Sequence, residues 1–237
     1  MKTKIYLLPG LMCDERLWSR IASFLNEKYE LIHLSIPLLN SFDEICEYLY
    51  THIEDEKINL LGFSLGGYIA SYFAIKYPQR VKRLFVIAAT LCSLSKDEKN
   101  KRKETLELIE KYGFKGLSRK KVISLLLKEN ANDNELISLV QEMYVDLGYE
   151  VFKTQMTSSL DRKNLLEGFL ELSVPVIYCY STEDRLLDYG WIKDFTDLNN
   201  KARCVLIEGN SHMLPLEEPS TLSFEIKSWL KIPEYMA

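Results

Sequence analysis

The sequence predicts an α/β fold, a mostly parallel central sheet flanked by helices, with a helical cap inserted near the C-terminal end of the sheet. Three observations predict it. Short β-rich runs alternate with helical patterns at both ends of the chain, which calls for parallel strands joined by right-handed crossovers. Between about Ser93 and Leu170 no run reads as a strand. A glycine-bounded serine, Gly62-Phe63-Ser64-Leu65-Gly66, stands where one strand pattern gives way to a helical one. The 237 residues suit one such domain. The expected division is a core of residues 1–92 and 171–237 and a cap of residues 93–170.

The elements follow in order. IYLLPG (5–10) reads as a buried strand stopped by a Pro-Gly turn. Leu17, Ile21 and Phe24-Leu25 share one face of a helix over 15–27. A second strand runs over 29–37, halted by Pro37, and a helix starts after Ser41 as N-cap and reaches Ile53. KINLLGFS (57–64) is an apolar strand, 66–77 a helix rich in small residues closed by Pro78, and 82–90 another buried strand. Helical patterns then cover 96–112, 118–129, 133–147 and 149–160, with breaks near Gly113, Gly116 and Gly148. Alternation resumes with a strand at 174–181, a helix at 188–198, a strand at 202–209 and a closing helix at 218–231.

Composition excludes several classes. Apolar residues at 47% and charged residues at 27% match a globular domain, not a disordered chain or a coiled coil. The net charge of −4 argues against nucleic-acid binding. No apolar run approaches the ~18 residues of a membrane span. Five cysteines (Cys13, Cys46, Cys92, Cys179, Cys204) form no C-x-x-C pair, and the chain holds three histidines, so neither a metal site nor any other cofactor is expected. The odd cysteine count suits a reducing compartment. The apolar start breaks at Pro9-Gly10, too soon for a signal peptide, so a cytoplasmic protein is expected. No G-x-x-x-x-G-K-[ST] or G-x-G-x-x-G occurs, which sets aside a nucleotide-binding reading.

The chemistry centres on Ser64. A G-x-S-x-G between strand and helix is the context of a nucleophile elbow. Gly62 and Gly66 give the room such a turn needs, and the serine is held exposed at a helix N-terminus that favours developing negative charge. A serine needs a base, and His212 follows the last strand on a loop at the same carboxyl edge. His33, within a strand, and His52, late in a helix, read as core or surface residues. A carboxylate should fix the base's tautomer, and Asp184 follows the strand 174–181, with Glu183 and Asp188 as its competitors. The oxyanion needs two donors: the Leu65 N–H, directly after the serine, and the Leu11 N–H, on the loop after the first strand. The order Ser64, Asp184, His212 differs from that of trypsin-like and subtilisin-like proteases.

These residues resemble those of the α/β-hydrolase-fold superfamily over essentially the whole chain. Residues 9–18 resemble its oxyanion loop, Gly62–Gly67 its elbow, Ser181–Leu187 its acid loop, Gly209–Pro219 its histidine loop and 91–170 its helical cap. Pro9 stands where many members have the histidine of a His-Gly pair. The resemblance implies hydrolysis of an ester, or a thioester, through an acyl-serine, as in small bacterial carboxylesterases, including those acting on acyl-carrier-protein methyl esters. Its alternatives are C–C bond hydrolysis or lyase chemistry, cofactor-free haloperoxidation, or a non-catalytic ligand receptor.

The cap should line an acyl pocket, for which Met143, Tyr144, Phe152 and Met156 are candidates. Residues 96–129 carry eleven Lys/Arg against six Asp/Glu, an excess of +5. Such a run reads first as a solvated helix face, and otherwise as a docking surface for an acidic partner such as an acyl carrier protein.

Overall fold

A computed structural model describes residues 2–25 and 28–233. Six strands form one sheet: β1 (Thr3–Leu8), β2 (Tyr29–His33), β3 (Ile58–Phe63), β4 (Val81–Ile87), β5 (Val176–Ser181) and β6 (Arg203–Ile207). Their order is β2-β1-β3-β4-β5-β6, and every pair is parallel. The chain steps one way from β1 to β2 and the other way from β3 onward. This reversal opens a crevice above the carboxyl ends of β1 and β3, the position where open α/β sheets bind ligands.

Side chains alternate across the sheet because the strand period is two. Tyr6, Leu8, Leu60, Leu84, Val86 and Tyr178 belong to one core layer. That layer is closed by α2 (Phe42–His52), α3 (Leu65–Lys76), α7 (Leu166–Leu170) and α8 (Tyr189–Leu198). Ile5, Leu7, Leu61, Phe63, Phe85 and Ile177 belong to the other, under α1 (Ser19–Phe24), α9 (Leu214–Glu217) and α10 (Pro219–Trp229). Trp229, fully buried, meets Phe85 edge-on at 5.5 Å between ring centres.

Local chemistry explains the helix starts. Ser41 and Ser95 each accept the N–H of a glutamate three residues on, Glu44 and Glu98, at 3.2 Å. Each glutamate reaches back to its serine's N–H, at 3.1 and 3.2 Å. The second of these capping boxes opens α4 (Lys96–Tyr112).

Between β4 and β5 the described residues contain no strand, only α4, α5 (Arg119–Ile123), α6 (Asn134–Ser158), α7 and short 3-10 turns. Several boundaries differ from expectation. The helix expected over 15–27 is a 3-10 turn, Glu15–Trp18, followed by α1, and positions 26–27 lie outside the described residues. The two helices expected at 133–147 and 149–160 are both there: they are the halves of α6, broken as expected at Gly148, whose φ of 75° and ψ of −176° are not helical. The helix expected at 118–129 shrinks to α5, because the Leu125 and Leu126 carbonyls turn away to bond other parts of the chain.

Candidate active site

The site is built at the carboxyl edge of the sheet. β3 ends at Phe63 and α3 begins at Leu65, so the chain reverses within a single residue, Ser64, whose φ is 51° and ψ −114°. A non-glycine residue held there stores about 1–3 kcal/mol of strain, which the packing around it must offset. Two glycines permit the turn. A Cβ on Gly62 would lie 2.3 Å from the Gly66 carbonyl oxygen, and one on Gly66 would lie 2.3 Å from those of Leu8 and Pro9. These are backbone atoms that cannot step aside. The Ser64 N–H donates to the Ile87 carbonyl at 2.8 Å, tying the elbow to β4.

His212 comes from the loop after β6, and Asp184 from the loop after β5. The structure brings all three side chains together. His212 Nε2 is 3.0 Å from Ser64 Oγ, and His212 Nδ1 is 2.6 Å from Asp184 Oδ2. The carboxylate can only accept, so Nδ1 carries the proton and Nε2 presents its lone pair to the serine hydroxyl. Asp184 is fully buried, and its other oxygen, Oδ1, accepts the Leu186 N–H at 2.9 Å. The competitors are used elsewhere: Glu183 is exposed, and Asp188 caps α8 by accepting the Trp191 N–H at 2.9 Å. His33 lines a separate cavity beside Trp18 and Gln155, and His52 stacks on Tyr48 at the surface.

The loop after β1 lies against the elbow, since a Cβ on Gly10 would sit 2.8 Å from the Phe63 ring and 3.3 Å from Ser64 Cβ. Met12, at φ 55°, donates its N–H to Gln155 Oε1 at 2.9 Å, and this anchors the loop beneath α6. The Leu65 N–H is the first of α3 and has no carbonyl of its own helix to bond.

The histidine loop is braced from the strand-free segment. The Leu125 carbonyl accepts the His212 N–H at 2.8 Å, and that of Leu126 accepts from Asn210 Nδ2 at 2.8 Å. Glu217 joins the same two stretches. Its carboxylate accepts from Ser211 Oγ, from the Leu127 N–H and from Asn130 Nδ2, the last two at 2.8 Å. Burial outweighs these bonds and raises the Glu217 carboxyl above its ordinary value.

Ser64 and His212 open into a cavity of about 470 Å³. Its walls correct the expected pocket. Met143, Tyr144, Phe152 and Met156 do not line it. Met143 packs in the core with Leu136 and Val140, while Tyr144, Phe152 and Met156 form a buried cluster with Met12. The cavity is walled instead by Leu94, Leu187 and Tyr189 and by charged residues, notably Arg102 and Arg162. Cys92 also lines it; burial and the neighbouring Asp188 push its thiol up to about 11, so it stays protonated at neutral pH.

Sequence reasoning missed the two arginines. Arg102 did carry a signal: it shares a half-buried stripe of α4 with Thr105, Leu106 and Ile109. Arg162 carried none, lying in a charged loop.

A parallel sheet with a serine elbow after its third strand, an acid after its fifth and a histidine after its sixth defines an α/β-hydrolase fold. The sequence pattern described as "alpha/beta hydrolase fold" matches residues 38–121. The chain is 33% identical to a pimeloyl-[acyl-carrier protein] methyl ester esterase of Aeromonas salmonicida, over 40% of this chain and 41% of that one. It is 24% identical to the esterase of the same name from Wigglesworthia glossinidia brevipalpis, over 96% of this chain and 93% of that one. A thermophilic esterase from Thermogutta terrifontis superposes with a TM-score of 0.82 at 20% identity, over 100% of this chain and 92% of that one. The architecture is that of α/β-hydrolase enzymes. Among the described residues no helix is long and apolar enough to cross a membrane.

Proposed function

We propose that the protein hydrolyses a carboxylic ester through an acyl-serine, with Ser64 as nucleophile, His212 as base and Asp184 as the acid that orients it. The observation that carries the reading is the continuous chain of two hydrogen bonds, 2.6 Å and 3.0 Å, ending on a serine held at positive φ.

Ser64 Oγ attacks the ester carbonyl carbon while its proton passes to His212 Nε2. Asp184 stabilises the imidazolium without taking a proton. The carbonyl oxygen becomes an oxyanion, held by the N–H groups of Leu65 and Leu11. The C–O bond to the alcohol breaks as His212 returns the proton to the leaving oxygen. Water then attacks the acyl-serine, giving its proton to His212, and the collapse frees the carboxylic acid and restores Ser64. The strand-free stretch 93–170 acts as the cap over the cavity. Support for an ester substrate comes from the names of the curated relatives, which are methyl ester esterases and monoacylglycerol lipases, and from the site's geometry; the carrier-bound acyl methyl ester of the former is one member of the class proposed here.

The test is Ser64→Ala. A fluorophosphonate should label the parent protein and not the variant, and turnover of p-nitrophenyl esters should fall by about a thousandfold or more while the fold is kept. Equal labelling of the two proteins would remove Ser64 from the reaction.

A further inference from the structure

Arg102 and Arg162 both face the cavity that holds Ser64 and His212, and both are half-buried. Among the described residues neither has a carboxylate within ion-pair distance. Their contacts are neutral. Arg102 donates to Ser159 Oγ at 2.6 Å and lies 3.8 Å from Met156 Sδ. Arg162 sits over the Tyr68 ring at 4.9 Å, and its Nη1 reaches the Thr90 carbonyl at 3.5 Å. Arg162 Nε is buried with no hydrogen-bond partner. Burial, with the charge of Arg102 added, pushes the Arg162 guanidinium down to about 10, so it remains charged at neutral pH.

Two like charges drawn partly out of water, one with an orphaned donor, are costly to hold side by side. A planar anion between them would answer both the repulsion and the orphaned N–H, because a guanidinium holds a carboxylate through paired N–H bonds. Glu98 attracts both guanidinium groups from a distance, but neither it nor Asp188 hydrogen-bonds to either arginine among the described residues. Glu98 is committed to the capping box of α4 and Asp188 to the cap of α8, and both are exposed.

We propose that Arg102 and Arg162 form a carboxylate-binding subsite, so that the substrate is an ester that also carries a free carboxylate, such as the half-ester of a dicarboxylic acid. This rests on the ester-hydrolase reading above. Charge favours a carboxylate over a phosphate dianion. The cavity is lined by three arginines, counting Arg185, against Glu98 and Asp188, an excess of one positive charge that a monoanion matches. Hydrolysis turns such a substrate into a dicarboxylate. The new carboxylate forms at Ser64 while the original one lies on the arginines, so the reaction that supplies this substrate must esterify, or leave esterified, one end only of a diacid.

The test compares monomethyl esters of the diacids from succinate to suberate with methyl esters of the length-matched monoacids, following methanol release. The best half-ester should exceed its neutral counterpart in kcat/KM by about tenfold or more, mainly through KM. In Arg102→Gln and Arg162→Gln that ratio should fall by about tenfold, and Arg162→Lys should restore it only in part. Melting temperature and fluorophosphonate labelling of Ser64 check that each variant is folded, and Arg102→Gln serves if Arg162→Gln is not. A ratio near one in the parent protein, or one unchanged in both glutamine variants, overturns the subsite. Inhibition by inorganic phosphate at lower concentration than by adipate overturns the choice of carboxylate. Normal labelling with no half-ester preference defeats the subsite alone, whereas no labelling at all defeats the hydrolase reading beneath it.

Discussion

Asp184→Asn is the sharpest single change available in this site, because the structure dictates which way the new amide must face. Asp184 Oδ1 accepts the Leu186 N–H at 2.9 Å and Oδ2 accepts from His212 Nδ1 at 2.6 Å. Asparagine has one acceptor. If its oxygen stays on the Leu186 N–H, its NH2 faces Nδ1, which must then give up its proton to accept. The proton moves to Nε2, and the lone pair aimed at Ser64 Oγ from 3.0 Å is lost. If the amide flips, its NH2, at a fully buried side-chain position, opposes the Leu186 N–H, and the two donors face each other with no acceptor between them. The first arrangement prevails, and the base is held in the wrong tautomer. The loss in kcat should be about 10³–10⁴-fold, or roughly 4–5.5 kcal/mol of transition-state stabilisation. The cost should fall slightly short of that of His212→Ala, since some imidazole still visits the productive tautomer. The assay is steady-state turnover of a p-nitrophenyl ester, with the rate of fluorophosphonate labelling as a second readout and a thermal melt to show that the fold survives. A loss of less than tenfold, or a larger loss on changing Glu183 or Asp188, would refute the assignment of Asp184.

Three further predictions concern the frame and surface. Gly66→Ala should destabilise the fold by about 3 kcal/mol or more, since its methyl would lie 2.3 Å from two carbonyl oxygens; a chemical-denaturation midpoint near that of the parent would contradict the close packing at the elbow. The Glu217 carboxyl is raised in the folded state, so its contribution to stability is greatest below the ordinary glutamate range and is lost as pH rises through the raised value. Glu217→Gln keeps the acceptor for Leu127 and Asn130 without ionising, and should gain on the parent in denaturant midpoint as pH climbs from acid to neutral, whereas Glu217→Ala should lose at both. Lys101→Glu with Lys103→Glu changes exposed positions of α4, and should shift stability by no more than about 0.5 kcal/mol and leave KM for a carrier-bound acyl ester within about twofold; a larger, salt-sensitive rise in KM would make that face a docking surface.

The meeting of Ser64, Asp184 and His212 could be read from sequence because each stands on the turn or loop that follows a strand of a parallel sheet, and all such loops open on one edge. Strand periodicity therefore carries position as well as secondary structure. The cavity walls were a different matter. Met143 and Tyr144 lie before the break at Gly148 and Phe152 and Met156 after it, their apolar side chains divide between the core and a second cluster, and helical spacing alone does not say which face meets the substrate. Arg102 was hidden in a run of lysines, although it sits on the inner stripe of α4. The shortened α5 shows long-range demand overriding local propensity: carbonyls that would have continued the helix are needed by the loop of His212.

That last arrangement limits how this molecule can be rebuilt. The stretch between β4 and β5 looks interchangeable, since it is strand-free and leaves the sheet's order untouched. Yet Leu125, Leu126, Leu127 and Asn130 from that stretch hold the loop that carries His212, directly or through Glu217. A chimera that exchanged the whole stretch for another sequence would change the reach of the imidazole along with the shape of the cavity. Modularity in this chain therefore ends near Ser124: α4 and the turn after it can be traded for altered selectivity, whereas residues 125–130 travel with the sheet.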